Sequence, residues 1–410
     1  MICNLAKRNF LRSSFFSSSS FSHLTTKTPP KSHPPTPKSP NPQPPRTKST
    51  YRQTPKSKSR SPHPPPPPPP PPPPEPQIQL QLEESISQLP PRFTPQDISK
   101  AISLQKDPHI SLRLFNWATQ QPRFKHDVST FLITVKKLGA SKLYEQMDAV
   151  VNQALAIPIP SSEILFNTAI YFYTEARKLS RAVTIFKHMK KSKDPNSLPS
   201  VRTYNLLFSA MLSRGSNSYI NHMYMQTIRC LFRQMVDDGI EPDIFSLNSM
   251  IKGYVLSLHL NDALRIFHQM GAVYKCLPNA FSYDYLIHGL CAQGRSMNAM
   301  EFYSEMKSKG FVPSGKAYNS LVNCLAIAGG VDEAVRILWE MGENGRQAEW
   351  ITCKTLLDEI GRQGRVGDAM RLLGELSDRK VVDGNAYRNL FHGLQNDFGD
   401  PDTRVGINGG

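Results

Sequence analysis

AFSYDYLIHGLCAQGRSMNAMEFYSEMKSKGFVPS, residues 280–314, is the stretch whose reading decides the fold. Tyr283, Leu286, Ile287 and Leu290 fall at i, i+3, i+4 and i+7, the apolar face of one helix. Gly294 and Arg295 interrupt that pattern, as glycine does where a helix stops. Ala299, Phe302, Tyr303 and Met306 repeat the spacing on a second helix, which Gly310 ends and Pro313 cannot continue. The stretch predicts a helix, a turn and a helix in 35 residues.

The same residue types recur along the chain. With Ala280 as position 1, position 20 holds Ala182, Ala263, Ala299, Ala334 and Ala369. Position 24 holds Phe186, Phe267, Tyr303, Leu338 and Leu373, and position 27 holds Met189, Met270, Met306, Met341 and Leu376. Position 4 holds Phe131, Phe166, Tyr204, Leu247, Tyr283, Tyr318, Cys353 and Tyr387. The units implied are 128–162, 163–200, 201–243, 244–279, 280–314, 315–349 and 350–383, with a partial unit at 384–394. A small Ala lets two helices approach, and the Phe and Met columns fill the space between pairs. One helix pair cannot bury its own apolar face, so the pairs must stack into an all-α solenoid.

TYNLLFSAML (203–212), SLNSMIKGYV (246–255) and AYNSLVNCLA (317–326), with GIEPD (239–243) and GFVPS (310–314), resemble pentatricopeptide repeats of the plain 35-residue, or P-type, class of plant organelles. The resemblance covers roughly 128–394. The tetratricopeptide repeat, the nearest competitor, would want a Trp-x-x-Leu-Gly-x-x-Tyr opening, and no unit has one. The resemblance implies a right-handed superhelix whose first helices line a concave face and read single-stranded RNA one base per unit.

In that family the base is read by position 5 and by the last residue of the unit. Carried over, position 5 is Leu132, Asn167, Asn205, Asn248, Asp284, Asn319 and Lys354, and the last residues are Ser162, Ser200, Asp243, Asn279, Ser314, Glu349 and Asp383. Asn205 with Asp243 matches a combination favouring uracil, and Asn167 with Ser200 and Asn248 with Asn279 match pyrimidine-favouring ones. The remaining combinations depart from the pattern: Leu132 cannot hydrogen-bond a base edge, Lys354 would sooner meet a phosphate, and Glu349 would repel the backbone. Position 2, which sandwiches bases, holds Ile164, Arg202, Phe245, Phe281, Lys316 and Ile351. Phe245 and Phe281 suit stacking, and Arg202 and Lys316 suit phosphates. The bland alternative is that the asparagines cap helices and the two Phe pack between units.

Outside the repeats the chain changes character. Residues 1–74 hold twelve Lys or Arg and no acid, within a total net charge of +16. Residues 1–30 read as a transit peptide, basic and Ser-rich, with apolar runs too short for a membrane span. Early Lys7, Arg8 and Arg12 favour the mitochondrion, with the chloroplast as the alternative. Residues 31–76 form a Pro-rich disordered linker, in which Pro64 to Pro74 must be polyproline II. Residues 77–127 read as N-terminal capping helices and a degenerate repeat, with Thr94-Pro95 and Asp107-Pro108 as helix starts. Eight extra residues near 214–223 and three near 193–198 are expected as surface loops, and 395–410 as a flexible tail.

Catalytic chemistry finds no footing. The six cysteines are scattered without a C-x-x-C pair, and the histidines carry no zinc-deaminase signature. Gly310 to Lys316 matches the phosphate-loop spacing, yet Ala317 stands where magnesium would need Ser or Thr, and a helix precedes it. The expectation is a non-catalytic organellar adaptor for single-stranded RNA, with no cofactor, metal, small-molecule substrate or membrane. It would serve RNA processing, splicing, stability or translation. The alternative is a protein-interaction scaffold docked on ribosomal or splicing proteins, such as a subunit associated with the mitochondrial ribosome.

Overall fold

The structure, a computed structural model, describes residues 75–157, 162–212 and 218–399. The segment expected as a transit peptide, the proline run and residues 400–410 lie outside the described residues. Among the described residues there are eighteen α-helices, one 3-10 turn and no strand. None of these helices is long and apolar enough to cross a membrane.

Three helices come first: α1 (Glu75–Ser87), α2 (Pro95–Leu104) and α3 (Pro108–Thr119). Pairs follow: α4 (Val128–Ala140) with α5 (Tyr144–Ala156), α6 (Glu163–Glu175) with α7 (Leu179–Lys191), and α8 (Val201–Leu212) with α9 (Ser218–Asp237). Then come α10 (Ile244–Leu256) with α11 (Leu260–Tyr274), and α12 (Ala280–Ala292) with α13 (Ser296–Ser308). The last are α14 (Gly315–Ile327) with α15 (Val331–Glu343), α16 (Trp350–Arg362) with α17 (Val366–Asp378), and α18 (Gly384–Phe398). The first helices α4, α6, α8, α10, α12, α14, α16 and α18 each touch the next, and α2 joins the head of this row. Each second helix packs on its own first helix and touches the first helix after it. The result is a solenoid of stacked helix pairs.

The recurring columns are the core. Ala182, Ala263, Ala299, Ala334 and Ala369 are all fully buried, as are Met189, Met270, Met306, Met341 and Leu376. Tyr204, Tyr283 and Tyr318 bury their rings between helices. A buried phenol needs a partner, and each finds a carboxylate on a second helix or just past its end: Tyr204 donates to Asp238 at 2.8 Å, Tyr283 to Glu305 at 2.8 Å and Tyr318 to Glu340 at 3.1 Å. Lys190, Lys309 and Lys307 hold those three carboxylates in turn. Burial and the neighbouring carboxylate push all three phenols above their ordinary pKa.

Turn chemistry closes each unit. Gly294 stands at φ +69° after α12, the left-handed conformation that glycine adopts without strain. Leu258 occupies the corresponding turn after α10 at φ +63° with a bulky side chain. At the N-terminal end, Thr94 and Asp97 form a reciprocal capping box on α2, and Asp107 caps α3 by accepting from the His109 N–H at 2.7 Å. Gly310 to Lys316 is an inter-unit loop and a helix start, with Ser314 capping α14.

Three local expectations need correction. Residues 218–223 of the long insertion are helical, the rest lying outside the described residues: α9 begins at Ser218 and runs 20 residues, so from there the extra residues extend the second helix. The core then resumes at Ile228, Phe232 and Met235, which are fully buried at the spacing of Ala182, Phe186 and Met189. The shorter insertion folds into the 3-10 turn Pro195–Ser197, capped by Asp194. At the C-terminal end α18 continues to Phe398, whose ring lies against Gly361 of α16, so the ordered chain reaches past Leu394.

Candidate nucleic-acid interface

The row of first helices presents one repeated arrangement. In every unit but the one that Glu349 closes, the last residue caps the next first helix. Ser200 Oγ accepts from the Arg202 N–H at 3.1 Å, Asp243 from the Ser246 N–H at 2.8 Å and Asn279 from the Ser282 N–H at 3.3 Å. Ser314 accepts from the Ala317 N–H at 3.2 Å. These bonds satisfy helix-start N–H groups that have no partner within the helix. Glu349 makes no such bond.

Position 5 then reaches across to the capped start of the next unit. Asn205 donates to Asp243 Oδ2 at 2.9 Å, and Asn248 donates to Asn279 Oδ1 at 3.0 Å while accepting from Ser282 at 2.6 Å. Asn167 donates to Glu163 at 2.8 Å and accepts from Thr203 at 2.8 Å, while Ser200 also donates to Glu163. Asp284 accepts from the Ser314 N–H at 3.1 Å, and Asn319 from the Glu349 N–H at 2.9 Å. Asn319 also donates to the Gly315 carbonyl at 2.8 Å. The two carried-over columns therefore meet in space. Capping belongs to the last residue of each unit, so the reading of the position-5 asparagines as caps does not hold. Burial holds the Asp284 carboxyl above its ordinary pKa, partly offset by the Ser314 hydrogen bonds.

Position 2 behaves differently. Phe245 is 48% exposed and Phe281 62%, and Ile164, Arg202, Lys316 and Ile351 are exposed as well. The two phenylalanines do not pack between units. Large apolar side chains left in solvent at a fixed repeat position are surfaces for contact. Two clefts join the columns. One of about 390 Å³ is lined by Ile164, Asn167, Ser200 and Arg202 with Lys136 and Tyr171. Another of about 390 Å³ is lined by Arg202, Asn205, Asp243, Phe245 and Ser209. Each cleft holds position 2 of two successive units with a position 5 and a last residue between them.

Of the carried-over residues that departed from the family pattern, Leu132 is partly buried against the core and Lys354 pairs with Asp358 at 2.6 Å. Asn205 Oδ1 is buried without a hydrogen-bond partner. Residues that sequence reasoning passed over share this face: Lys136 and Tyr171 line the first cleft, and Lys252, Tyr285 and His288 follow on α10 and α12. The signal was helical phase, since positions 6 and 9 lie one and two turns beyond position 2.

The fold and the site define a class: a solenoid of 35-residue helix pairs with an inner row of exposed aromatic and cationic side chains over capped polar pairs. Sequence models of the PPR repeat family match residues 242–292 and 278–327, and those of the PPR repeat match 164–193 and 316–346. The chain is a pentatricopeptide repeat protein. It is 61% identical over 230 residues to the pentatricopeptide repeat-containing protein At2g27800, mitochondrial, of Arabidopsis thaliana, covering 56% of this chain and 52% of that one. To At3g25210, mitochondrial, of the same plant, it is 32% identical over 189 residues, 46% of this chain and 49% of the other. The chain thus spans about half the length of these curated relatives. Both carry the mitochondrion in their names, in agreement with the basic leader, and the chain is mitochondrial. Among solved structures, pentatricopeptide repeat protein PPR10 in complex with an 18-nt psaJ RNA element aligns at TM-score 0.49 and 21% identity, over 78% of this chain and 43% of that chain.

Proposed function

We propose that this protein is a non-catalytic, plain 35-residue-class adaptor that holds a short pyrimidine-rich single strand of mitochondrial RNA along its first helices. The observation that carries the reading is the cleft shared by Arg202, Asn205, Asp243 and Phe245. An exposed ring supplies a stacking platform, a cation faces the backbone, and a hydrogen-bonding pair lies between them. Asn167 with Ser200, and Asn248 with Asn279 beside Phe281, extend the reading by one unit on either side. Asp284 with Ser314, and Asn319 beside Lys316, continue the row.

A base can be read only where the Asn–Asp or Asn–Asn pair turns an edge outward, which replaces an internal bond by one to the base. Full-length protein is expected to bind oligouridine more tightly than oligoadenosine. Asn205→Ala with Asp243→Ala is expected to weaken oligouridine binding and reduce that preference. Equal binding to both homopolymers, unaltered by the double change, would overturn the proposal.

One observation favours a second reading. The polar atoms of Asn167, Asn248 and Asn319 are already engaged between units. Their role would then be to stitch the solenoid as a protein-interaction scaffold, for instance on the mitochondrial ribosome. Under that reading the native protein co-sediments with ribosomal particles, and continues to do so when Asn205 and Asp243 are changed.

A further inference from the structure

Three successive first helices bring cationic and aromatic groups together beside the row of polar pairs. Lys252 of α10 places Nζ 5.9 Å from the centroid of the Tyr285 ring of α12. His288, one turn further along α12, is hydrogen-bonded through Nδ1 to Ser320 Oγ of α14 at 2.7 Å. Lys316, at the start of α14, is exposed and acts electrostatically on both Lys252 and His288. Neither Lys252 nor Lys316 forms an ion pair among the described residues. Elsewhere the first and second helices pair their cations readily, as Lys354 does with Asp358 and Lys307 with Glu340. The nearby carboxylate, Asp284, is turned to the Ser314 N–H. Lys252 and His288 are partly desolvated and share the repulsion of the exposed Lys316, an arrangement that is unfavourable until an anion arrives.

We infer that Lys252, His288 and Lys316, with the Tyr285 ring beneath Lys252, form a phosphodiester-binding site bridging α10, α12 and α14. The inference rests on the reading that RNA follows the first helices. It adds which residues take the backbone there and why the strand would be held at this place. The exposed Phe245 and Phe281, at position 2 of α10 and α12, stand two turns away on the same helices and would carry the neighbouring bases. Neutral His288 donates through one ring nitrogen only, whereas an imidazolium donates through both. A bound phosphate therefore draws a proton onto His288. In the free protein the ring is held below its ordinary pKa, first by burial and then by Lys316. From α14 the groups facing it are Lys316 and Ser320. On α10 Lys252 is the cation that Lys316 also repels, and on its own helix Asp284 and Tyr285 stand one turn away. The second helices α11 and α13 lie on the other side of α12.

The test is oligouridine binding by full-length protein across salt and pH. Comparison is made with Lys252→Ala, Lys316→Ala, His288→Gln and a control, Lys193→Ala, at an exposed loop lysine outside the row. The basic leader contributes equally to every variant. Each of Lys252→Ala and Lys316→Ala is expected to lower the slope of log affinity against log salt by about 0.7, the value for one phosphate on a single strand. The control is expected to leave the slope alone. Wild-type affinity is expected to rise from about pH 7.5 to about pH 5.5, across the ordinary histidine range, and His288→Gln to remove part of that rise. Circular dichroism confirms that each variant is folded. RNA binding with wild-type slopes and pH profile in all three variants would overturn this site and leave the adaptor reading standing. No RNA binding by the wild type would overturn both.

Discussion

Phe232→Ala tests how the chain absorbs its longest insertion. If the eight extra residues looped out after the second helix, the column positions of unit 201–243 would fall on Ile220, Tyr224 and Thr227. In the structure they fall on Ile228, Phe232 and Met235. Phe232 is fully buried, with its ring 6.5 Å from Phe208 and edge-on to Tyr274 at 6.0 Å. Tyr224 is half-buried and Thr227 exposed. Truncating a fully buried Phe leaves a cavity between three helices and costs about 3–5 kcal/mol. Tyr224→Ala removes a side chain that water already reaches, so its cost is expected well below that, about 1 kcal/mol. Urea unfolding followed by far-ultraviolet circular dichroism measures the difference. Because a solenoid can lose one segment before the rest, hydrogen exchange over α8 and α9 should show the loss locally. Tyr224→Ala costing as much as Phe232→Ala would refute this register.

Other outcomes follow from particular contacts. A Cβ at Gly139 would sit 2.3 Å from the Phe172 ring of the next first helix, so Gly139→Leu is expected to destabilise by about 1–3 kcal/mol, read as a fall in Tm, whereas Gly271→Leu, with open space around it, is not. Asp243→Ala alone removes the cap of α10 and is expected to cost about 1 kcal/mol by urea unfolding, before any effect on RNA. His126 stacks on Phe115 at 3.9 Å, and burial pulls its pKa down to about 4. Its folded value lies below the unfolded one, so the stability that it supports is complete above the ordinary histidine pKa. That stability declines as pH falls from about 6.5 towards 4. His126→Phe is expected to flatten this part of the Tm-against-pH curve, and an unchanged curve would count against the assignment.

The periodicity was legible because the core needs it. Ala299, Tyr303 and Met306 recur where two helices must approach and then fill the gap, and every such column is buried. The N-caps at Thr94 and Asp107 were legible because a capping side chain acts within three residues of itself. The insertion was not. Nothing local distinguishes eight residues that extend the second helix at its start from eight that loop out before it, since both leave Phe232 in the column against Phe208. The candidate site was half legible. Asn205 with Asp243 and Asn248 with Asn279 could be paired by register, but register is silent about whether their polar edges are free, and most are bonded between units. Phe245 and Phe281 could have been core or surface on sequence alone, because the solenoid's inner row exposes a position that a compact bundle would cover. Lys252, Tyr285 and His288 were missed because they lie on two successive units and meet Lys316 of a third, and no single repeat shows the cluster.

The central claim, that single-stranded RNA runs along the first helices, is tested most directly by photo-crosslinking. Full-length protein is irradiated with a 4-thiouridine-containing oligouridine, and the modified residues are identified by mass spectrometry. Crosslinks at Phe245 and Phe281, and on the inner faces of α8, α10 and α12, are the expected result. Crosslinks confined to the basic leader or to the second helices α9, α11 and α13 would contradict it.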